Sequence, residues 1–242
     1  MKLSNQSPRP LYLQAMDDIK ADIEGGRYAP NHKIPSEAEL SGKYAVSRIT
    51  IRRAVEELVS EGYLTKMQGK GTFVNPPKLA RKILQSSEVQ SFTETCRAAG
   101  RVAGSKLVSC EVVDARPAER EFLDLDEGAK LVYVQRIRTA DGVPIMLENN
   151  FFPFEGFEFL VTANLDDCSI FSLVGERTGR IPQDTRRCTL SIVRANAEVA
   201  ALLEVAVGEP LFCEQVEFLD GEGRPLLMGR QYIVGDMYLF DI

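Results

Sequence analysis

Two groups of residues in this 242-residue chain have types and spacing suited to chemistry. The first is Ser47, Arg48, Thr50 and Arg52, where guanidinium and hydroxyl donors crowd one short stretch. Such donors suit phosphate oxygens and the edges of bases. The second is Arg136 and Arg138, followed by Glu148 and Ser169. In a strand, residues two apart project from the same face, so the two arginines share one side and Leu131, Tyr133, Gln135 and Ile137 share the other. Guanidinium groups so placed repel each other unless an anion joins them, which each can grip through paired hydrogen bonds. The alternative is a solvent-exposed sheet face. Glu148 falls on the arginine face if the preceding loop is Ala140-Asp141-Gly142, and on the reverse face if it is Asp141-Gly142 alone.

The elements that must position the first group can be read locally. Tyr12, Ala15, Met16, Ile19 and Ile23 form one apolar stripe of a helix running from Pro10 to Glu24, which Gly25-Gly26 ends. Ser36 and Glu39 make an S-x-x-E capping box for a second helix that ends by Tyr44. Ser47 caps a third, whose buried stripe is Ile51, Ala54, Val55 and Leu58 and which Gly62 terminates. Glu56, Glu57 and Glu61 crowd its C-terminal half, so this helix is expected to meet a polyanion by its N-terminal turn. Two short strands then flank Gln68-Gly69-Lys70-Gly71, a hairpin with Lys66 and Lys70 available to phosphates.

Composition narrows the rest. With 44% hydrophobic and 26% charged residues the chain is globular. It has no run of about 18 apolar residues and no secretory h-region between Met1 and Pro10. Five scattered cysteines without a C-x-x-C pair fit reduced thiols in the cytoplasm. A single histidine, His32, read as a loop residue, removes the raw material of most metal sites and of a Ser-His-Asp triad. No cofactor is called for. Residues 1–78 carry 12 Lys and Arg against 9 Asp and Glu, whereas the remainder carries 17 against 26. The front of the chain is thus the part suited to nucleic acid.

Beyond a Pro-rich stretch at Asn75-Pro-Pro-Lys78, two segments echo each other about 80 residues apart, Ser105 to Phe152 and Thr185 to Ile233. Phe122-Leu123 answers Leu202-Leu203, Gly128 answers Gly208, and Leu131-Val132 answers Leu211-Phe212. After a one-residue insertion, Pro144-Ile145-Met146 answers Pro225-Leu226-Leu227 and Phe151 answers Tyr232. Each copy reads as strand, short helix, strand, turn, strand. The expected product is one antiparallel sheet with helices against it, and residues from about 154 to 183 closing over it.

Pro10-Leu-Tyr-Leu-Gln14, Ile34-Pro-Ser-Glu37, Val46-Ser-Arg-Ile-Thr50 with Arg52, and Gln68-Gly-Lys-Gly-Thr-Phe-Val74 resemble the DNA-binding domain of GntR-family repressors. The resemblance implies a dimeric bacterial regulator on a palindromic operator. It implies that Arg48 and Arg52 contact bases or adjacent phosphates, that Ser47 and Thr50 hold phosphates, and that Gly69 approaches the minor groove. Ser36, Gln68 and Lys70 complete the expected DNA-contacting set. Many family members carry arginine directly after P-S-E, where this chain has Ala38. Ser91-Phe-Thr-Glu94, Arg136 to Pro144, Glu148 and the Tyr232 to Asp236 ending resemble the UTRA effector domain of the HutC subfamily, which has the chorismate lyase fold. There the arginine pair often holds the anionic group of a metabolite, commonly a sugar phosphate. By that resemblance Glu148 accepts from ligand hydroxyls or amines, Ser169 donates to the anion, and Phe92, Thr93 and Tyr232 line the pocket. Phe92 and Tyr232 serve equally well as ordinary core.

The expected architecture is α+β: a winged helix-turn-helix domain over 1–75, a linker over 76–90, and an effector-binding and dimerisation domain over 91–242. The expected function is that of a cytoplasmic, homodimeric regulator, a repressor modulated by a small anion, sugar phosphate being the leading class. One alternative is a chorismate-lyase-type enzyme fused to a DNA-binding head; others are a regulator responding to a carboxylate catabolite and one that binds no small molecule.

Overall fold

The computed structural model describes residues 8–82 and 89–241. The chain divides into two compact units, Met1–Pro77 and Lys78–Ile242. In the first, α1 (Leu11–Glu24), α2 (Glu37–Tyr44) and α3 (Arg48–Ser60) precede a hairpin of β1 (Leu64–Met67) and β2 (Gly71–Val74). Local signals set these boundaries. The Ser36–Glu39 capping box opens α2, and Ser47 accepts from the Thr50 amide to open α3. Ala15, Met16, Ile19, Leu40, Tyr44, Ile51, Ala54, Val55 and Leu58 interlock as the core, so the stripes read from the sequence are the buried ones except at Tyr12 and Ile23, which pack against them half-buried.

The second unit begins with β3 (Leu79–Lys82), which runs parallel to the last strand, β10 (Tyr238–Asp241). The stretch 76–90 expected to be a linker therefore contains a strand, pinned by residues from the far end of the chain. Next come α4 (Phe92–Ala98), β4 (Ala103–Asp114), α5 (Pro117–Leu123), β5 (Lys130–Ala140) and β6 (Val143–Pro153). A 3-10 turn (Glu158–Val161) and α6 (Ile170–Thr178) lead into β7 (Asp184–Arg194), α7 (Ala197–Leu203), β8 (Pro210–Leu219) and β9 (Pro225–Val234). The main sheet is antiparallel, ordered β4-β5-β6-β9-β8-β7.

The internal repeat is visible in this order: β4-α5-β5-β6 and β7-α7-β8-β9 join through their last strands. The copies agree in backbone detail. Asp124 and Glu204 end α5 and α7 in the left-handed region, and Gly128 and Gly208 follow with φ of 82° and 87°. One face of the sheet packs against α4, α6 and the 3-10 turn. The reverse face carries α5 over Leu131 at one end and α7 over Ile137 and Leu147 at the other. Among the described residues no helix is long and apolar enough to cross a membrane.

The β8–β9 turn is organised by one carboxylate. Asp220 accepts from the backbone amides of Glu222 and Arg224, each at 3.0 Å, and from Nε of Arg180 at 2.7 Å and of Arg224 at 3.0 Å. Burial pushes its pKa up, but these donors pull harder and set it at about 2, against an ordinary 3.8. That difference corresponds to about 2 kcal/mol of stability. It is present above the ordinary value and lost as pH falls from about 4 toward the folded value. Asp220→Asn is therefore expected to lower unfolding free energy by about 2 kcal/mol at neutral pH. In urea titrations the gap from the unsubstituted protein should narrow as the buffer is acidified from about pH 5.

Candidate functional site

The first group of donors lies on the exposed side of α3 and the wing. Arg48 is exposed and makes no hydrogen bond or ion pair with any described residue. Ser47 Oγ and Thr50 Oγ1 share a hydrogen bond of 2.9 Å, and Thr50 N donates to Ser47 Oγ at 3.2 Å. These two hydroxyls thus hold the helix end that presents Arg48. Ser36 is similarly committed: its hydroxyl donates to Glu39 Oε2 at 2.7 Å and accepts from the Glu39 amide.

Arg52 is exposed but tethered. Its Nε donates to Glu37 Oε2 at 3.1 Å, while Lys66 Nζ donates to Glu37 Oε1 at 3.1 Å. Partial burial pushes the Glu37 pKa up, and the bonds and charges of Lys66 and Arg52 outweigh that, so it titrates below the ordinary carboxylate range. One carboxylate from α2 therefore aligns a cation of α3 with a cation of the wing. Sequence reading missed Glu37, although its place one residue after the cap faced both partners. Gln68, Gly69 and Lys70 form the exposed wing tip, where Gly69 has φ of 72°. That left-handed backbone is cheap only for glycine.

The second group gathers on the sheet face beneath α4 and α6. Asp141 and Gly142, with φ of 53° and 80°, make a two-residue β5–β6 turn. By itself this turn points Glu148 away from the arginines. The register then shifts: Thr139 pairs with Pro144 but Arg138 with Met146, so Ile145 bulges and Arg136 faces Glu148. The bulge returns the carboxylate to the arginine face.

Arg136 is fully buried, and each of its nitrogens has a partner. Its Nη2 and Nε donate to Glu148 Oε2 at 2.6 and 2.9 Å, and its Nη1 donates to the Cys168 carbonyl at 3.0 Å. Arg138 Nη1 reaches the same carboxylate at the longer distances of 3.4 and 3.5 Å. Its Nε is buried without a partner among the described residues, and Phe92 lies over the guanidinium with the ring centroid 4.6 Å away. Burial pushes the Glu148 pKa up, yet the two arginines reverse this and hold it below the ordinary carboxylate range. The anion between the arginines is therefore the chain's own Glu148, and the unmet demand belongs to Arg138.

Phe92, Thr93, Arg138, Glu148 and Ser169 surround a cavity of about 10 Å³. Ser169 is the N-cap of α6, and its Oγ accepts from Ser172 N at 3.4 Å. Phe92 and Glu148 also border a second cavity of about 30 Å³ with Gln231.

Tyr232 does not join them. It pairs with Leu147 and packs beside α7, on the reverse face. There it borders a groove of about 400 Å³ with Tyr133, Asn149 and Arg230. Its neighbour Gln231, paired with Glu148 and Glu214, occupies the arginine face instead. The repeat held the signal: Tyr232 answers Phe151, which is three residues from Glu148 and so points the other way. Asn150 and Gln231 were also overlooked; Asn150 Nδ2 and Oδ1 and Gln231 Oε1 are buried there without partners among the described residues. Among the described residues no cluster of His, Cys, Asp and Glu could hold a metal ion.

Two family models match the chain: "Bacterial regulatory proteins, gntR family" over residues 11–74 and "UTRA domain" over residues 98–238. The chain is 34% identical to the HTH-type transcriptional regulator YurK of Bacillus subtilis, over 87% of this chain and 85% of that one. It is 30% identical to the HTH-type transcriptional repressor NagR of the same organism, over 99% and 97%. Its fold is similar to the crystal structure of PhnF from Mycobacterium smegmatis, with a TM-score of 0.70, 25% identity and coverage of 94% and 97%.

Proposed function

Since the chain belongs to the GntR family of bacterial regulatory proteins and carries a UTRA domain behind its DNA-binding head, we propose that a small anionic metabolite of the sugar-phosphate class releases it from its operator. The chain is a DNA-binding transcriptional repressor rather than an enzyme. The observation that carries the effector reading is Arg138, a nearly buried cation whose Nε has no partner among the described residues. A buried donor left unmet costs free energy, and an anion entering beside it recovers that cost. Burial also pulls the Arg138 pKa below its ordinary value, as expected of a cation short of negative charge.

Ser169 and the first turn of α6 line the same small cavity as Arg138, so it has donors from both a strand and a helix end. Convergence suits a phosphate, which offers several acceptor oxygens. Asn150 and Gln231 further along the same face, with unpartnered amide atoms, suit a hydroxyl-rich body attached to it. Both cavities are smaller than a metabolite, so entry requires Phe92 to leave the Arg138 guanidinium. Phe92 belongs to α4, and binding thereby couples to a helix rather than to a lone side chain. Release from DNA follows if the effector favours a domain arrangement that spoils one half-site of a palindrome bound by a homodimer.

In thermal melts, hexose 6-phosphates at about 100 times their Kd should raise Tm by about 5–10 °C, with Arg138→Gln abolishing the shift. Small dicarboxylates should shift it less. Tyr232→Phe, altered on the reverse face, should retain the full response. A protein whose melting no phosphorylated sugar or carboxylate alters would overturn the effector reading.

A further inference from the structure

Ile49 is the most exposed large apolar side chain among the described residues, 79% accessible, and it sits in the first turn of α3. At about 100° per residue, it lies about 170° from the centre of the buried stripe of Ile51, Ala54, Val55 and Leu58. It is therefore the outermost point of the helix expected to enter a groove.

Its helical neighbours one turn later would ordinarily shelter such a side chain beneath their alkyl stems. Here both are drawn away. Arg52 is held by Glu37, and Arg53 lies over Tyr12, its guanidinium carbon 3.9 Å from the ring centroid and its Nη2 donating to the hydroxyl at 3.3 Å. The same contacts that orient the basic side chains strip the cover from Ile49.

Arg48 precedes Ile49 on α3 and Arg52 follows it by one turn, the latter shared with Glu37, so the surface this side chain must meet is anionic at its rim and apolar at its centre. The floor of the major groove provides that combination, because thymine alone among the DNA bases projects a methyl group there. We propose that Ile49 reads the 5-methyl group of a thymine in the operator half-site, beside the base contacted by Arg48, and so sets sequence preference at that step.

The proposal rests on the DNA-binding reading and is tested with the full-length chain. Half-sites are first enriched from random duplexes, and each thymine of the enriched site is then replaced by deoxyuridine, which removes only the methyl group. For the unsubstituted protein, one replacement should weaken binding about fourfold, the effect of one buried methyl. For Ile49→Ala, exposed and without folding consequence, the same replacement should change affinity by less than about 1.5-fold, because the partner methyl no longer has a contact to lose. Equal losses in both proteins, or no methyl-dependent thymine in an enriched site, overturn the role of Ile49 while leaving operator binding intact. Failure to enrich any sequence overturns both.

Discussion

Arg48→Ala is expected to remove sequence-specific DNA binding and to leave the fold untouched. The side chain is exposed and has no partner among the described residues, so its loss should change stability by no more than about 0.5 kcal/mol. On DNA the loss is far larger: a guanidinium paired with a base edge is worth about 1–3 kcal/mol, or about 5- to 150-fold per half-site. Titrations over a salt series separate the two roles open to it. A base contact predicts that specific binding falls toward the non-specific level with little change in salt slope, whereas a phosphate contact predicts uniform weakening and a slope shallower by about one. A folded Arg48→Ala protein that binds its enriched site normally would remove α3 from the groove.

Arg136→Ala should be the most damaging single substitution in the sheet. It strands Glu148 at 6% exposure with only the long contacts to Arg138, and it removes the donor to the Cys168 carbonyl. Breaking a buried pair in this way costs about 3–5 kcal/mol, a large part of the 5–15 kcal/mol available to a typical domain. Urea unfolding of the full chain reads this directly, and a loss below about 1 kcal/mol would contradict the assigned role. The pH dependence has a definite sign. The depressed Glu148 contributes stability above the ordinary carboxylate range, which disappears as acid protonates it at its lower folded value. The two arginines, alike in sequence, thus divide: Arg136 is tied to Glu148 by short bonds, whereas Arg138 keeps only long ones and is the one the proposed effector would meet. A double substitution would confuse the two effects, and Arg138→Gln alone is the clean probe.

What the residues revealed in advance depended on the range of the forces involved. The helices of the first unit were legible because caps and apolar spacing act within a few positions, as Ser36–Glu39 and Ser47–Thr50 show. The repeat was legible because its turns recur, down to Gly128 and Gly208. The face of Glu148 was not, since a two-residue turn and the bulge at Ile145 have opposite consequences and only their sum matters. Of the two readings open for Tyr232, pocket lining by resemblance and ordinary core, the core one matches its place beside α7, as its parity with Phe151 indicates. The pairing of β3 with β10 joins residues at opposite ends of the second unit, and no local pattern at 79–82 announces a partner at 238–241.

The duplicated sheet also records how unevenly its halves diverged. Arg136 opposite Glu148 in one half corresponds to Val216 opposite Gly229 in the other, and Arg138 opposite Met146 corresponds to Phe218 opposite Leu227. At these two pairs one sibling is ionic and the other apolar. A scaffold of this kind can drift toward new chemical vocabularies on its ionic side while its twin preserves the shape, which gives such a lineage room to trade one signal molecule for another without rebuilding its frame.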